Sequence, residues 1–200
     1  MTDLLCCRKS KLGQPDSHYQ SLVCQGTMFL GRAGYSVMNT AGAATMDATV
    51  EYMIRSHLSD VVEVEKAAWT ISDPDFGDFV CPLAWGEDRF VSEVRRKNTV
   101  LFVVLEGDLV VGYACVSKEK NRNTNTIERL VVHPQFCRRG LGSALLLDIM
   151  ARSNSVKYQS QVREHDDTSI AFFTSLGWTG KFSRNLYGRD TNGIVFSQPQ

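Results

Sequence analysis

Residues 126–150, TIERLVVHPQFCRRGLGSALLLDIM, constrain this chain more than any other stretch, because a β-pattern, an arginine–glycine turn and an apolar helix follow one another directly. Thr126 to Val132 reads as a strand, which His133-Pro134 interrupts because proline has no amide hydrogen to donate to a neighbouring strand. Leu141, Leu145 and Ile149 then recur on one helical stripe, with Leu146 and Met150 beside it, so the helix from Leu141 to Arg152 buries a face. Gly140 and Gly142 stand where that helix begins. There the first amides have no partner in the helix, and a residue without Cβ lets a ligand reach the backbone. The physics of such a turn favours an anion, above all a phosphate.

The rest of the chain fits one domain. Two hundred residues with 43% hydrophobic content can bury one good core. Lysine plus arginine (22) balance aspartate plus glutamate (22), so no global field points to nucleic acid, and Arg138-Arg139 is only a short basic cluster with no recognition motif around it. Six cysteines, at 6, 7, 24, 81, 115 and 137, form no CxxC pair and have no histidine partners at metal spacing. No metal site is expected, and reduced thiols in a cytoplasm are the plain reading. No stretch approaches the roughly 20 apolar residues of a membrane span.

Residues 1–48 are rich in small and polar types without a sustained period, and read as a poorly ordered extension; residues 49–200 hold the domain. Thr49–Arg55 predicts a strand, 59–69 a helix with a serine or aspartate cap, and 87–97 a helix with Phe90, Val91 and Val94 on one face. Between these helices, SDPDFGDFVCPLAWG predicts a loop, either covering a substrate or packed by Phe76, Phe79 and Trp85. Strands at 100–105 and 109–117 join through Glu106-Gly107-Asp108 as a hairpin and lead into the strand at 126. Lys157–Arg163 reads as a strand, and Asp167–Leu176 as a helix with Ile170, Phe173 and Leu176 inward, closed by Gly177.

This order, ending in Leu176-Gly177-Trp178, resembles the GNAT superfamily of N-acetyltransferases over about residues 49–197. The family's loop reads Gln/Arg-x-x-Gly-x-Gly/Ala. Arg138, Arg139, Gly140, Leu141, Gly142 and Ser143 match it, with Cys137 at the leading position. A Rossmann fingerprint fits worse, since Leu145 stands where its third glycine belongs. The resemblance implies an α/β fold with a central, mostly antiparallel twisted sheet flanked by helices, and a V-shaped splay between the two middle strands. It implies acetyl-CoA as co-substrate, its pyrophosphate held by residues 138–143, with Leu130, Val131 and Val132 along the strand and an amide near Val131 or Val132 facing the thioester carbonyl.

The segment QVREHDDTSIAFFTSLGW is similar in spacing to the VRxxN and A-x-x-L-Y-x-x-x-G-F stretch of ribosomal-protein alanine N-acetyltransferases. Three positions differ. Asp166 stands at a CoA-contacting asparagine, Gln161 at the general-base glutamate, and Phe173 at the tyrosine that protonates the thiolate. Gln161 cannot take a proton at neutral pH and Phe173 cannot donate one. Glu128 is the alternative base, against a simple ion pair with Arg129 or Arg122; His165 is a further option. Tyr187, in the RNLYG stretch, is the alternative acid. The resemblance thus implies an acetyl-CoA-dependent N-acetyltransferase, a monomer or homodimer, acting on a primary amine: a protein N-terminus or a small molecule. A non-catalytic acyl-CoA-binding module is the competing reading. Acceptor recognition would lie in the loops 73–86 and 184–192.

Overall fold

The computed structural model describes residues 3–5, 35–37, 46–73, 77–81, 83–119, 123–152 and 157–199. Its elements in chain order are β1 (Asp3–Leu5), β2 (Tyr35–Val37), β3 (Met46–Tyr52), α1 (Leu58–Trp69), β4 (Thr70–Asp73), β5 (Gly77–Val80), α2 (Glu87–Arg95), β6 (Thr99–Glu106), β7 (Leu109–Lys118), β8 (Thr124–Val132), α3 (Leu141–Ala151), β9 (Lys157–Arg163), α4 (Asp167–Ser175), β10 (Thr179–Ser183) and β11 (Gly193–Ser197). Of the expected extension 1–48, the backbones of β1, β2 and the start of β3 fall in this description, together with the buried side chain of Ala48; Cys6, Cys7 and Cys24 lie outside it.

The large sheet runs β10-β11-β9-β8-β7-β6-β3-β2, with β1 laid beside β8. Neighbours pair antiparallel except β8 with β9 and β1 with β8. The β6–β7–β8 meander follows the expected hairpin, whose Gly107 takes φ 62°, a left-handed turn that glycine adopts without strain. Alternation then sorts side chains onto two cores. From β6, Phe102 and Val104 join Leu141, Leu145, Ile149 and Phe173 of α3 and α4, whereas Leu101, Val103 and Leu105 join Val61, Val64 and Phe90 of α1 and α2. The sheet is therefore flanked by helices on both faces.

Local departures from the sequence pattern have identifiable causes. Helix α1 begins at Leu58 after a 3-10 turn at Arg55–His57, with no side-chain cap from a serine or aspartate. In α2, Val94 is exposed and Glu93 is buried instead, held by Arg89 at 2.7 Å and Arg96 at 2.8 Å. A paired carboxylate has taken the inward position that hydrophobicity alone assigns to valine. The expected loop 72–86 contains the two-stranded β4–β5 hairpin; Phe76 and Pro82 lie outside the described residues. The β10–β11 hairpin, which no sequence period announces, closes one edge of the main sheet.

Candidate active site

The middle of the sheet opens where it was expected to. Strands β8 and β9 pair only from Thr124–Lys157 to Ile127–Ser160, after which β8 continues to Val132 and β9 to Arg163 without a shared ladder. The splay begins beside Glu128 and Gln161. A bulge sits at the same point: Cys115 pairs with Arg129 and Val116 with Ile127, leaving Glu128 as the extra residue. A bulge of this kind puts two successive side chains on one face. Here Glu128 and Arg129 both face α1 and α2, as their partners show. Ser117 donates to the Glu128 carboxylate at 2.6 Å, and Arg129 pairs with Glu65 of α1.

Register also assigns the main-chain groups along the open edge. His133 donates to Val111 at 2.8 Å, and a Cβ on Gly112 would lie 2.8 Å from the Val131 carbonyl oxygen. Residues 131 and 133 therefore direct their backbone to β7. By alternation Leu130 and Val132 direct theirs into the splay. Of the two amides expected near a reacting carbonyl, Val132 thus faces the splay and Val131 faces β7. Strand β1 runs parallel along this open edge, Asp3 opposite Arg129 and Leu5 opposite Val131.

At the mouth of the splay stands the glycine turn. Gly140, at φ 81°, caps α3, and Arg138 also takes a left-handed φ of 64°. A non-glycine residue held there marks a turn whose shape is over-determined by its surroundings. The amides of Leu141, Gly142 and Ser143 have no carbonyl one turn earlier in the helix, so they point outward at the positive end of the α3 dipole. A Cβ on Gly142 would meet Leu130 and Phe172 at 3.5 Å and Val132 at 3.7 Å, so this turn, the open edge of β8 and α4 converge on one space. Arg139 reaches Glu106 at 3.5 Å and covers the Phe136 ring at 4.9 Å. The Cys137 thiol packs against the α3 core, 3.7 Å from the Val132 carbonyl.

Other sequence-selected residues take definite places. Asp166 is the N-cap of α4, accepting from the Ser169 amide at 3.1 Å and hydroxyl at 2.6 Å, so its carboxylate is engaged in capping. Phe173 is 0% exposed, stacked on Phe196 and tilted against Trp178, which makes it a core aromatic. On β9, Tyr158 and Val162 enter the α3–α4 core, so Gln161 and Arg163 face the opposite side, the one that carries Glu128. Tyr187 lies in the β10–β11 loop with its ring 5.4 Å from the Arg163 guanidinium. That loop is braced by Asn192, which donates to Glu164 at 3.1 Å. Glu128, Gln161 and Tyr187 therefore line one face around the splay, while His165 is solvent-facing beside Glu164.

One group escaped the sequence reading. Glu65, on α1, is fully buried with Arg129 and Tyr113, whose hydroxyl donates to it at 2.7 Å. Burial pushes its carboxyl above the ordinary value of 4.5, against the pull of Arg129 and the Tyr113 hydrogen bond. Burial also raises Tyr113 well above its ordinary range. Among the described residues, no cluster of histidine, cysteine, aspartate or glutamate has metal-binding spacing, and no helix is long and apolar enough to cross a membrane.

Known proteins with this architecture can now be compared. The ribosomal-protein-S18-alanine N-acetyltransferase of Escherichia coli is similar at TM-score 0.59 and 20% identity, over 76% of this chain and 93% of that one. The PaiA N-acetyltransferase of Thermoplasma acidophilum, solved with coenzyme A, gives 0.60 and 14%, over 75% and 98%. A Salmonella typhimurium protein solved with acetyl-CoA gives 0.56 and 19%, over 76% and 92%. At these identities the likeness is one of fold. No curated protein matches the chain in sequence. The family model of the Acetyltransferase (GNAT) family, however, matches residues 58–178, which include the splay, the glycine turn and α4. That match spans more than half of the chain, which therefore belongs to the GNAT acetyltransferase family.

Proposed function

We propose that this protein is an acetyl-CoA-dependent N-acetyltransferase that binds the cofactor in the β8–β9 splay and acetylates a primary amine presented from the α1–α2 side. One observation carries the reading: the left-handed Gly140 turn starts α3 beside the strand β8 that parts from β9, and Gly142, two residues on, packs against Leu130, Val132 and Phe172. The chemistry of this set suits coenzyme A. Its pyrophosphate needs outward amides and positive potential, which Gly140 to Ser143 supply with Arg138 and Arg139 close by. Its amide-bearing arm needs strand-edge amides and carbonyls to pair with, which Leu130 and Val132 direct into the splay, where β1 lies beside β8.

When bound, acetyl-CoA supplies a thioester whose acetyl carbon forms the new C–N bond as its C–S bond breaks. The chain then has three tasks. The Val132 amide hydrogen-bonds the carbonyl oxygen as negative charge grows on it. Glu128, placed on the acceptor face by the bulge, takes the proton released by the attacking amine, directly or through one water. Tyr187 returns a proton to the departing sulfur, the task that buried, hydroxyl-free Phe173 cannot perform. The acceptor is a protein N-terminus or a small amine, the acetyltransferase acting as monomer or homodimer in a cytoplasmic setting.

The decisive experiment is thiol release from acetyl-CoA across a panel of amines and N-terminal peptides. Turnover with at least one acceptor, lost in Glu128→Gln and Tyr187→Phe while coenzyme A still binds, is the expected result. The second reading, a non-catalytic acyl-CoA-binding module, is favoured by glutamine at 161 and by Phe173 in the core. Coenzyme A binding without release for any acceptor would leave that reading alone.

A further inference from the structure

The residues around Arg129 form a device that the proposed chemistry does not use. Its guanidinium is sandwiched between two indoles, 5.0 Å from the Trp69 ring and 4.3 Å from that of Trp85. It pairs with Glu65, and its second terminal nitrogen donates to the Leu83 carbonyl at 3.0 Å. Glu65 in turn accepts from the Trp85 amide at 2.8 Å. Both partners therefore grip the backbone of the segment after β5, one at Leu83 and the other at Trp85. That segment lies on the α1–α2 side, where Glu128 and Gln161 also face. Leu83 and neighbouring Val80 are 44% and 45% exposed, so the grip holds a segment that still presents side chains to solvent.

The register explains why an arginine on β8 can do this. Were Glu128 in regular alternation instead of bulged, position 129 would face α3 and α4 like Ile127; the bulge turns it toward α1. The same irregularity thus aims the proposed base and the loop anchor.

We propose that Arg129, held by Glu65, is a positioning residue that docks the Leu83–Gly86 segment as one wall of the acceptor site. This rests on the acetyltransferase reading and goes beyond it by assigning the wall and its anchor. Arginine is required for its shape. A flat guanidinium fills the slot between Trp69 and Trp85 and still has a nitrogen for Leu83, whereas an ammonium can satisfy Glu65 but cannot also do both.

Arg129→Lys is therefore the informative variant, because it retains the buried charge pair and the Glu65 bond to Trp85 while removing the guanidinium's hold on Leu83 and the two indoles. Two measurements on the full chain test it. Hydrogen exchange at the Trp85 amide should speed up by about tenfold, as for loss of support to one hydrogen bond. The acceptor KM should rise by about tenfold, with kcat within about threefold and acetyl-CoA affinity within about twofold. The double variant Glu65→Gln/Arg129→Met, which leaves no unpaired buried charge, should reproduce the acceptor KM rise if Arg129→Lys proves poorly folded. Unchanged exchange at Trp85, or acetyl-CoA affinity falling as far as acceptor affinity, would overturn the proposal, the latter by making Arg129 a prop for β8. Exchange is read without any acceptor. A wild-type chain that releases no thiol with any amine would instead overturn the activity on which the proposal rests.

Discussion

The glycine turn permits a test in which one methyl group, added at two positions two residues apart, has opposite effects. Gly140 sits at φ 81°, where a Cβ crowds the following carbonyl at a cost of about 1–2 kcal/mol, whatever space surrounds it. Gly142 lies inside α3 with ordinary φ, and its added Cβ would meet Leu130 and Phe172 at 3.5 Å, a normal contact distance. There alanine recovers up to about 1 kcal/mol of helix propensity. The two variants should thus differ by roughly 1–3 kcal/mol, or about 2–12 °C in Tm for a chain of this size. Binding should diverge as well. Relaxing the turn at 140 re-aims the first amides of α3, and losing one charge-assisted hydrogen bond, about 1.5–3 kcal/mol, weakens coenzyme A binding by at least about tenfold. Gly142→Ala should bind within about twofold of wild type. Gly142→Leu must force its side chain into the space lined by Leu130, Val132 and Phe172, and should bind at least about thirtyfold more weakly. Thermal denaturation and titration calorimetry with coenzyme A read both quantities. Unchanged affinity in Gly140→Ala, or an equal loss in Gly142→Ala, would refute the account of this turn.

Three other outcomes are expected. Glu128→Gln and Tyr187→Phe should each lower kcat by about two to four orders of magnitude, with coenzyme A affinity within about twofold; normal rates in both would leave proton transfer to water. Glu65 has a folded-state pKa raised above its ordinary 4.5, so its stabilising contribution is complete below that value and declines as pH rises through the raised one. The Tm of wild type relative to Glu65→Gln should therefore fall as pH rises above about 4.5, and a difference that grows with pH would contradict the burial argument. Strand β1 occupies the β8 edge that the cofactor arm would use, so replacing Leu4 and Leu5 by proline should tighten acetyl-CoA binding by about tenfold, the worth of one or two net hydrogen bonds. Equal affinities would show that the two do not compete.

What the chain determined locally was legible before any coordinates. The α3 stripe of Leu141, Leu145 and Ile149, the Gly177 helix stop at φ 76° and the glycine turn at 140 all depend on residues within a few positions of one another. Periodicity and φ preference suffice for such features. The β10–β11 hairpin was not legible, because TGKFS is an exposed edge strand with no alternating apolar face to betray it. Nor was the inward turn of Glu93, since its neutralising arginines at 89 and 96 look like ordinary surface charges in a string of letters. The site divides in the same way. That the turn at 138–143 has the residues an anion site needs was legible from its glycines and arginines. Which amide faces the splay, and that Glu128 and Arg129 share a face, depended on a one-residue bulge, and a shift of one residue in a strand reverses every side chain beyond it. The grip of Arg129 on Glu65 joins positions 64 apart in sequence, so only the folded chain could bring that carboxylate, two indoles and the Leu83 carbonyl around one guanidinium.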